Sequence, residues 1–228
     1  MKDPTRIPDV VDALRRTWEG QPDLSLAALW GVLANRGVGW GTTDDELLAV
    51  LAEVESEHPS LIDASTDASY TISTASPAHA VTVGGDMVVV RSATDPSRMP
   101  GVWQFSSLRR TGPGLPLVIT DAEGIDHRLG VVQLITAVDA QHAPDLNGLE
   151  RHDVGSARWL AVLEDGRRCV IGQSVRTWAQ SRRDVAATDG PWDKIVRCAE
   201  GEEFRYLPGA GLAEVAVGVV ERLVVLET

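Results

Sequence analysis

With 228 residues, 43% of them hydrophobic, the chain is long enough for one large domain or for two or three small ones with ordinary cores. Its 33 acidic residues outweigh 21 basic ones, and the formal net charge of −12 repels phosphate backbones and anionic membrane surfaces. Neither nucleic acid nor membrane is therefore expected as a partner, and with no bilayer-length apolar window and no export signal a cytoplasmic protein is expected.

Ile7, Val10, Val11, Leu14 and Trp18 recur at helical spacing until Gly20 and Pro22 interrupt, which predicts a first helix. Ser25 is an N-cap for a second helix carrying Leu26, Leu29, Trp30 and Leu33, closed by Gly37. Thr43 and Glu46 form a capping box ahead of Leu47, Leu48, Val50, Leu51 and Val54, with Pro59 beyond the end of this third helix. Trp18 and Trp30 are expected on the core faces of their helices. Residues 60 to 80, rich in Ser, Thr and Ala, read as a linker or an irregular strand.

From Val81 the pattern turns to β. Val81–Val83 and Met87–Val90 flank the turn cluster Gly84-Gly85-Asp86, and Leu117–Thr120 with Arg128–Val138 repeat the arrangement around Gly124. Trp159–Leu163 and Arg168–Ile171 do so again around Asp165 and Gly166, while residues 140 to 157 read as a surface connection. Residues 130–139, beginning Gly-Val-Val, match residues 218–227 in glycine, valines, apolar pattern and closing acid. At nearly the same offset Gly101-x-Trp103 matches Gly190-x-Trp192, with Arg109 and Arg197 following; the hairpins at Gly84 and Gly166 are taken as equivalent, with an insertion around residues 173 to 188. The predicted class is α+β, with a three-helix segment (1–59) followed by two related small antiparallel β modules (60–142 and 156–228). Each is of a size to close as an SH3-like barrel, and half of a larger barrel or sandwich fits the same pattern.

Arg6-Ile7, Val10, Leu14, Trp18, Pro22-Asp23-Leu24, Leu26 and Leu33-Ala34, followed by Thr43-Asp44-Asp45, form a pattern over residues 6–58 that resembles the YihD-like family of small bacterial proteins. The resemblance implies a helical segment and carries over no catalytic or binding residue.

A helix-turn-helix reading of the helices fails on charge, because the third helix carries Asp44, Asp45, Glu46, Glu53, Glu55 and Glu57 and no Lys or Arg. Strand alternation puts Asp126 and Arg128 on one face, as a cross-turn salt bridge or an anion-binding pair, and His127 on the other. His142, Asp145, Glu150, His152 and Asp153 gather in one loop but match no known metal-ligand spacing. Cys169 and Cys198 stand apart from any CxxC pattern, so buried free thiols are expected. Trp103 and Trp192 follow glycines in equivalent positions, where they either plug barrel ends or display an aromatic for peptide capture beside Arg109 and Arg110 in one copy and Arg197 and Arg205 in the other. No cofactor or metal is read from the sequence. The expectation is a non-enzymatic module that binds a protein partner or self-associates, with Trp103, Arg109, Arg110, His127, Arg128, Trp192, Arg197 and Arg205 as candidate contacts. The alternative is a small hydrolase, metal-assisted or not, using residues 126–128 or the 142–153 loop.

Overall fold

The computed structural model describes residues 4–64, 68–180, 185–209 and 211–228. Contacts divide it into two compact units, one comprising the chain up to Thr94 with Val102–Ala137, the other Asp95–Gly101 with Val138–Thr228.

The first unit opens with α1 (Arg6–Glu19), α2 (Leu26–Asn35) and α3 (Asp44–Glu57). Ser25 caps α2 by accepting from the Ala28 amide, and Thr43 and Glu46 complete the capping box of α3. Ala13, Leu29, Leu33, Leu51 and Val54 form their core. Ala13 and Thr17 are small enough to bring α1 close to α3, and the Thr17 hydroxyl donates to the carbonyls of Ala13 and Leu51. That geometry overturns the expected burial of the two helical tryptophans. Trp18 is 37% exposed because the small-residue face of α1 wins the interior, and Trp30 is 42% exposed because Leu29 and Leu33 take the core face of α2.

The closed barrel of this unit contains β1 (Ser69–Ala75), β2 (His79–Gly84), β3 (Met87–Ser92), β4 (Gly101–Leu108), β5 (Pro116–Asp121) and β6 (Asp126–Val138), each hydrogen-bonded to the next. β1 falls in the stretch read as a linker or an irregular strand, and β2 begins at His79, two residues before the expected Val81. Tyr70, Ile72 and Thr74 alternate inward along β1, while Ser and Thr on its outer face mask the period of two in the sequence. Ile72, Val81, Leu117, Ile119 and Ile135 fill the interior, as expected for a barrel of this size. Buried Thr74 donates to the carbonyls of Leu129 and Pro77, joining β1 to β6. At Gly130, with φ of 103°, a Cβ would sit 2.6 Å from the Ala75 carbonyl oxygen and 2.7 Å from that of Pro77. The helices join the barrel through reciprocal backbone hydrogen bonds between Ile62 and Thr111, both 2.9 Å, and through His58 Nδ1, 3.2 Å from the Ile135 carbonyl oxygen.

In the second unit β7 (Arg158–Leu163), β8 (Arg168–Ile171), β9 (Val175–Gln180), β10 (Val185–Gly190), β11 (Trp192–Arg197), β12 (Glu203–Pro208) and β13 (Val215–Glu227) form one sheet. Its order is β10-β9-β8-β7-β13-β12-β11. Asp95–Gly101 packs within this unit, where Trp178 Nε1 donates to the Ser97 carbonyl (2.6 Å), Arg176 Nη1 to that of Pro96 (2.9 Å) and Arg168 Nη1 to that of Pro100.

The repeat is visible in the backbone. In the first module Gly114 N–H donates to Val132 O and Val132 N–H to Leu115 O; in the second, Gly201 N–H donates to Val220 O and Val220 N–H to Glu202 O. These bonds fix each Gly-Val-Val strand against the turn before the penultimate strand, so β13 corresponds to β6, β12 to β5 and β11 to β4. Since β7 pairs with β13 as β1 does with β6, β7 to β9 correspond to β1 to β3, and β10 is the insertion. The Gly166 turn therefore answers the β1–β2 turn and not, as expected, the Gly84 hairpin.

Residues 140 to 157 are also more than a surface connection. Leu146, Leu149, Val154 and Ala157 are buried in the core of the second unit. Gly148 N–H donates to the Ile195 carbonyl (3.0 Å) and Ile195 N–H to that of Leu149 (2.9 Å), so this segment covers the outer edge of β11. Its apolar residues show no period because they come from a loop, not from a helix or strand.

Gly130→Ala is expected to lower the urea-unfolding free energy by at least about 2 kcal/mol, since both the backbone conformation and two carbonyls oppose a side chain. Gly148→Ala, with φ of 80° but open space around its Cβ, is expected to cost about 1 kcal/mol.

Candidate functional site

The closed barrel brings together several of the candidate residues. Trp103, two residues into β4, is half-buried with its ring centroid 4.9 Å from that of His127 at 36° between planes, within the usual range of ring contacts. His127 Nε2 lies 2.8 Å from Asp121 Oδ2, while Asp121 Oδ1 accepts from the backbone N–H groups of Glu123 and Ile125. His127, first among these donors, and then the Ile125 amide hold the Asp121 carboxyl below the usual carboxylate range. The Asp–His pair has the form of a general base with its orienting group, but among the described contacts no hydroxyl or thiol reaches the imidazole to be activated.

Alternation holds at the start of β6, with Asp126 and Arg128 exposed and His127 half-buried. Asp126, however, pairs with Arg109, just past the end of β4, at 3.0 Å and accepts from the Thr120 hydroxyl, rather than from Arg128. The neighbour two strands away is closer than the residue two positions along. Arg110 is exposed at the end of β4.

The second module does not repeat this arrangement. Trp192 is fully buried and its indole donates to the Gly172 carbonyl at 2.8 Å, so it serves as core and offers no ring to a ligand. Arg197 pairs with Glu202, and Arg205 with Glu203 and Glu214, all on the surface, where such pairs contribute little stability. Of the two parallel positions, only Trp103 retains a polar neighbour of functional type.

A cavity of about 290 Å³ opens at the end of the barrel that carries the β2–β3 turn. Asp63, Tyr70, Asp86, Phe105, Ser106 and Leu108 line it, with Gly84 and Gly85 in its wall, and among the described residues no Arg or Lys takes part. The hairpin positions Asp86: Gly85 adopts φ of 58°, and Gly84 lies so close to β1 that a Cβ would meet Ser69 Oγ at 2.2 Å. The Asp86 carbonyl then accepts from the Phe105 amide, and its carboxylate from Gln104 Nε2 at 2.9 Å. Tyr70 is nearly buried, and burial pushes its hydroxyl above the usual tyrosine range. The sequence reading names Gly84, Gly85 and Asp86 only as a turn, and none of the lining residues as a candidate site. One signal was available, since Tyr70 and Phe105 come from residue types present only twice each.

In the 142–153 loop the histidines pair separately, His142 with Asp139, and His152 with Glu150 and Asp153. Among the described residues no three His, Cys, Asp or Glu side chains come together as a metal-ligand set. Cys169 and Cys198 are buried free thiols, pushed by burial up to about 11 and about 12. Among the described residues no helix is long and apolar enough to cross a membrane. No protein-family model matches the chain, and neither curated proteins nor solved structures match it.

Two outcomes follow. Because the Asp121 pKa is lowered by folding, its contribution is complete above the unfolded value of about 3.9 and disappears as pH falls through the lower folded value. Asp121→Asn should therefore lower the urea midpoint at neutral pH, and wild type and variant should converge on acidification below about pH 4. Neither thiol should react with an aromatic disulfide reagent near about pH 8 while the chain is folded, and both should react in denaturant.

Proposed function

We propose that the protein is a non-enzymatic protein-binding module whose closed barrel holds a basic side chain of its partner. The observation that carries this reading is the chemistry of the cavity beside the β2–β3 turn, which combines the carboxylates of Asp63 and Asp86 with the rings of Tyr70 and Phe105. A lysine or arginine side chain has an apolar stem suited to Leu108 and the rings, and a cationic head attracted by both carboxylates and ring faces. Size supports the same class. At about 290 Å³ the cavity lies at the lower end of ligand pockets, about 300 to 1,000 Å³, and suits one side chain better than a dinucleotide or other large cofactor. Gln104, by bonding Asp86, fixes the carboxylate before a ligand arrives and so lowers the ordering cost of binding.

The half-buried Trp103–His127 contact supports the rigidity of β4, the strand that supplies Phe105 and Ser106. Two buried free thiols fit a reducing compartment, which supports a cytoplasmic location.

Titration with capped lysine and capped arginine, followed by amide NMR shifts, should perturb Asp86, Phe105 and the Gly84–Gly85 turn. Capped norleucine, which has the stem without the charge, should perturb them far less. Asp86→Asn should weaken the basic ligands about fivefold, equivalent to about 1 kcal/mol for a partly exposed ion pair. Equal response to norleucine, or no response to either basic ligand at saturating concentration, would contradict the proposal.

A further inference from the structure

A segment of this chain lies on one face of the β8–β9 hairpin as a bound peptide does. Cys169, Ile171 and Val175 belong to the core of the second unit, whereas Trp178 stands outside that cluster. The register pairs Arg168 with Trp178 and Val170 with Arg176, so these four side chains share the face opposite the core. Trp178 is nevertheless only 3% exposed. Against this face lies Asp95–Gly101, which belongs to the same unit.

The segment is held by its backbone. The Pro96 carbonyl accepts from Arg176 Nη1 at 2.9 Å, the Ser97 carbonyl from Trp178 Nε1 at 2.6 Å, and the Pro100 carbonyl from Arg168 Nη1. Its side chains pack little: residues 95–98 are exposed, and within the segment only Pro100 is buried. Its shape is set locally, since Asp95 Oδ1 accepts from the amide and hydroxyl of Ser97, and the Arg98 amide bonds the Asp95 carbonyl. Pro96 fixes φ at the second position of that turn, and neither proline has an N–H to satisfy against the sheet. Aromatic grooves take proline-containing peptides by the same means. Any segment presenting three carbonyls at this spacing meets the same donors.

The resident segment leaves one group unsatisfied. Arg168 is half-buried, its Nε is enclosed without a hydrogen-bond partner, and among the described residues no carboxylate pairs with it. Burial holds its guanidinium below the ordinary arginine range. A buried charge needs more compensation than one carbonyl supplies. The residue after that carbonyl is Gly101, which has no side chain; an Asp or Glu in its place would stand next to the guanidinium.

We infer that the Arg168–Arg176–Trp178 face is a peptide-docking site, filled in this chain by its own Asp95–Gly101, and that it takes from a partner a proline-containing segment with an acidic residue after the second proline. Such a segment keeps the three carbonyl bonds and adds an ion pair with Arg168. The inference is independent of the barrel cavity. The resident segment, joined to the chain at both ends, competes at an effective concentration on the order of millimolar, so displacement depends on that added pair.

Two acetylated, amidated peptides test this by NMR: residues 95–101 as they stand, and the same peptide with Gly101→Glu. In the protein, Pro96→Gly/Pro100→Gly loosens the resident segment by giving it more conformations to lose. With this variant both peptides should shift the Trp178 indole N–H and the amides of Val170 and Arg176, the Glu peptide binding about tenfold more tightly, as a charge-assisted bond does. Wild type should show the same shifts at about 10 mM peptide, with affinity several-fold weaker, whether or not the Gly variant folds. Arg168→Gln, whose amide still donates to the Pro100 carbonyl, should erase the preference for the Glu peptide. No shift at β8–β9 in wild type with either peptide would overturn the docking site; equal binding of the two peptides, or a preference that survives Arg168→Gln, would overturn the choice of an acidic segment.

Discussion

The closeness with which the backbone at Gly130 approaches the carbonyls of Ala75 and Pro77 governs the first unit. A sheet of six short strands leaves two edges unless its last strand returns to its first, and a side chain at this point would hold β6 away from β1. Glycine removes the obstacle, and Thr74 secures the approach with hydrogen bonds to Leu129 and Pro77. Closure in turn fixes the start of β1, where Tyr70 stands beside the β2–β3 turn, and the position of Ile135, next to His58. The cavity and the attachment of the helices both depend on it.

The second module begins from the same plan and solves the edge problem differently. Its equivalent strand carries Gly218 and makes the same backbone exchange with the preceding turn, yet the extra strand β10 occupies the side of β9 on which β4 lies in the first module. The sheet stays open. Residues 147–150 cover β11 instead, bringing Leu146 and Leu149 into the core, and Trp192 becomes part of the interior. A common sequence signature thus marks shared backbone geometry without marking shared surface chemistry, as the different surroundings of Trp103 and Trp192 demonstrate.

The parts of the fold legible in the sequence are those fixed by local chemistry. The capping box at Thr43 and Glu46, the Gly84-Gly85-Asp86 turn and the paired Gly-Val-Val strands each depend on neighbours within a few residues, and each forms as read. Burial of Trp18 and Trp30 is decided by competition between faces of a helix, which periodicity alone does not rank: in α1 small residues won by permitting closer packing with α3, and in α2 Leu29 and Leu33 took the core. The strand at 69–75 was hidden by its polar outer face. The cavity was illegible for another reason: Asp63, Tyr70, Asp86 and Phe105 come from four separate segments, and only closure of the barrel collects them.

The excursion Asp95–Gly101 has its own consequence for how the protein is made. The chain passes between the two units three times, after Thr94, after Gly101 and after Ala137. During synthesis the barrel strands leave the ribosome before Arg168, Arg176 and Trp178, whose side chains hold the carbonyls of Pro100, Pro96 and Ser97. The connection between β3 and β4 therefore emerges as a tether awaiting residues some seventy to eighty positions downstream, and takes its place in the second unit only when translation has carried the chain well into that unit.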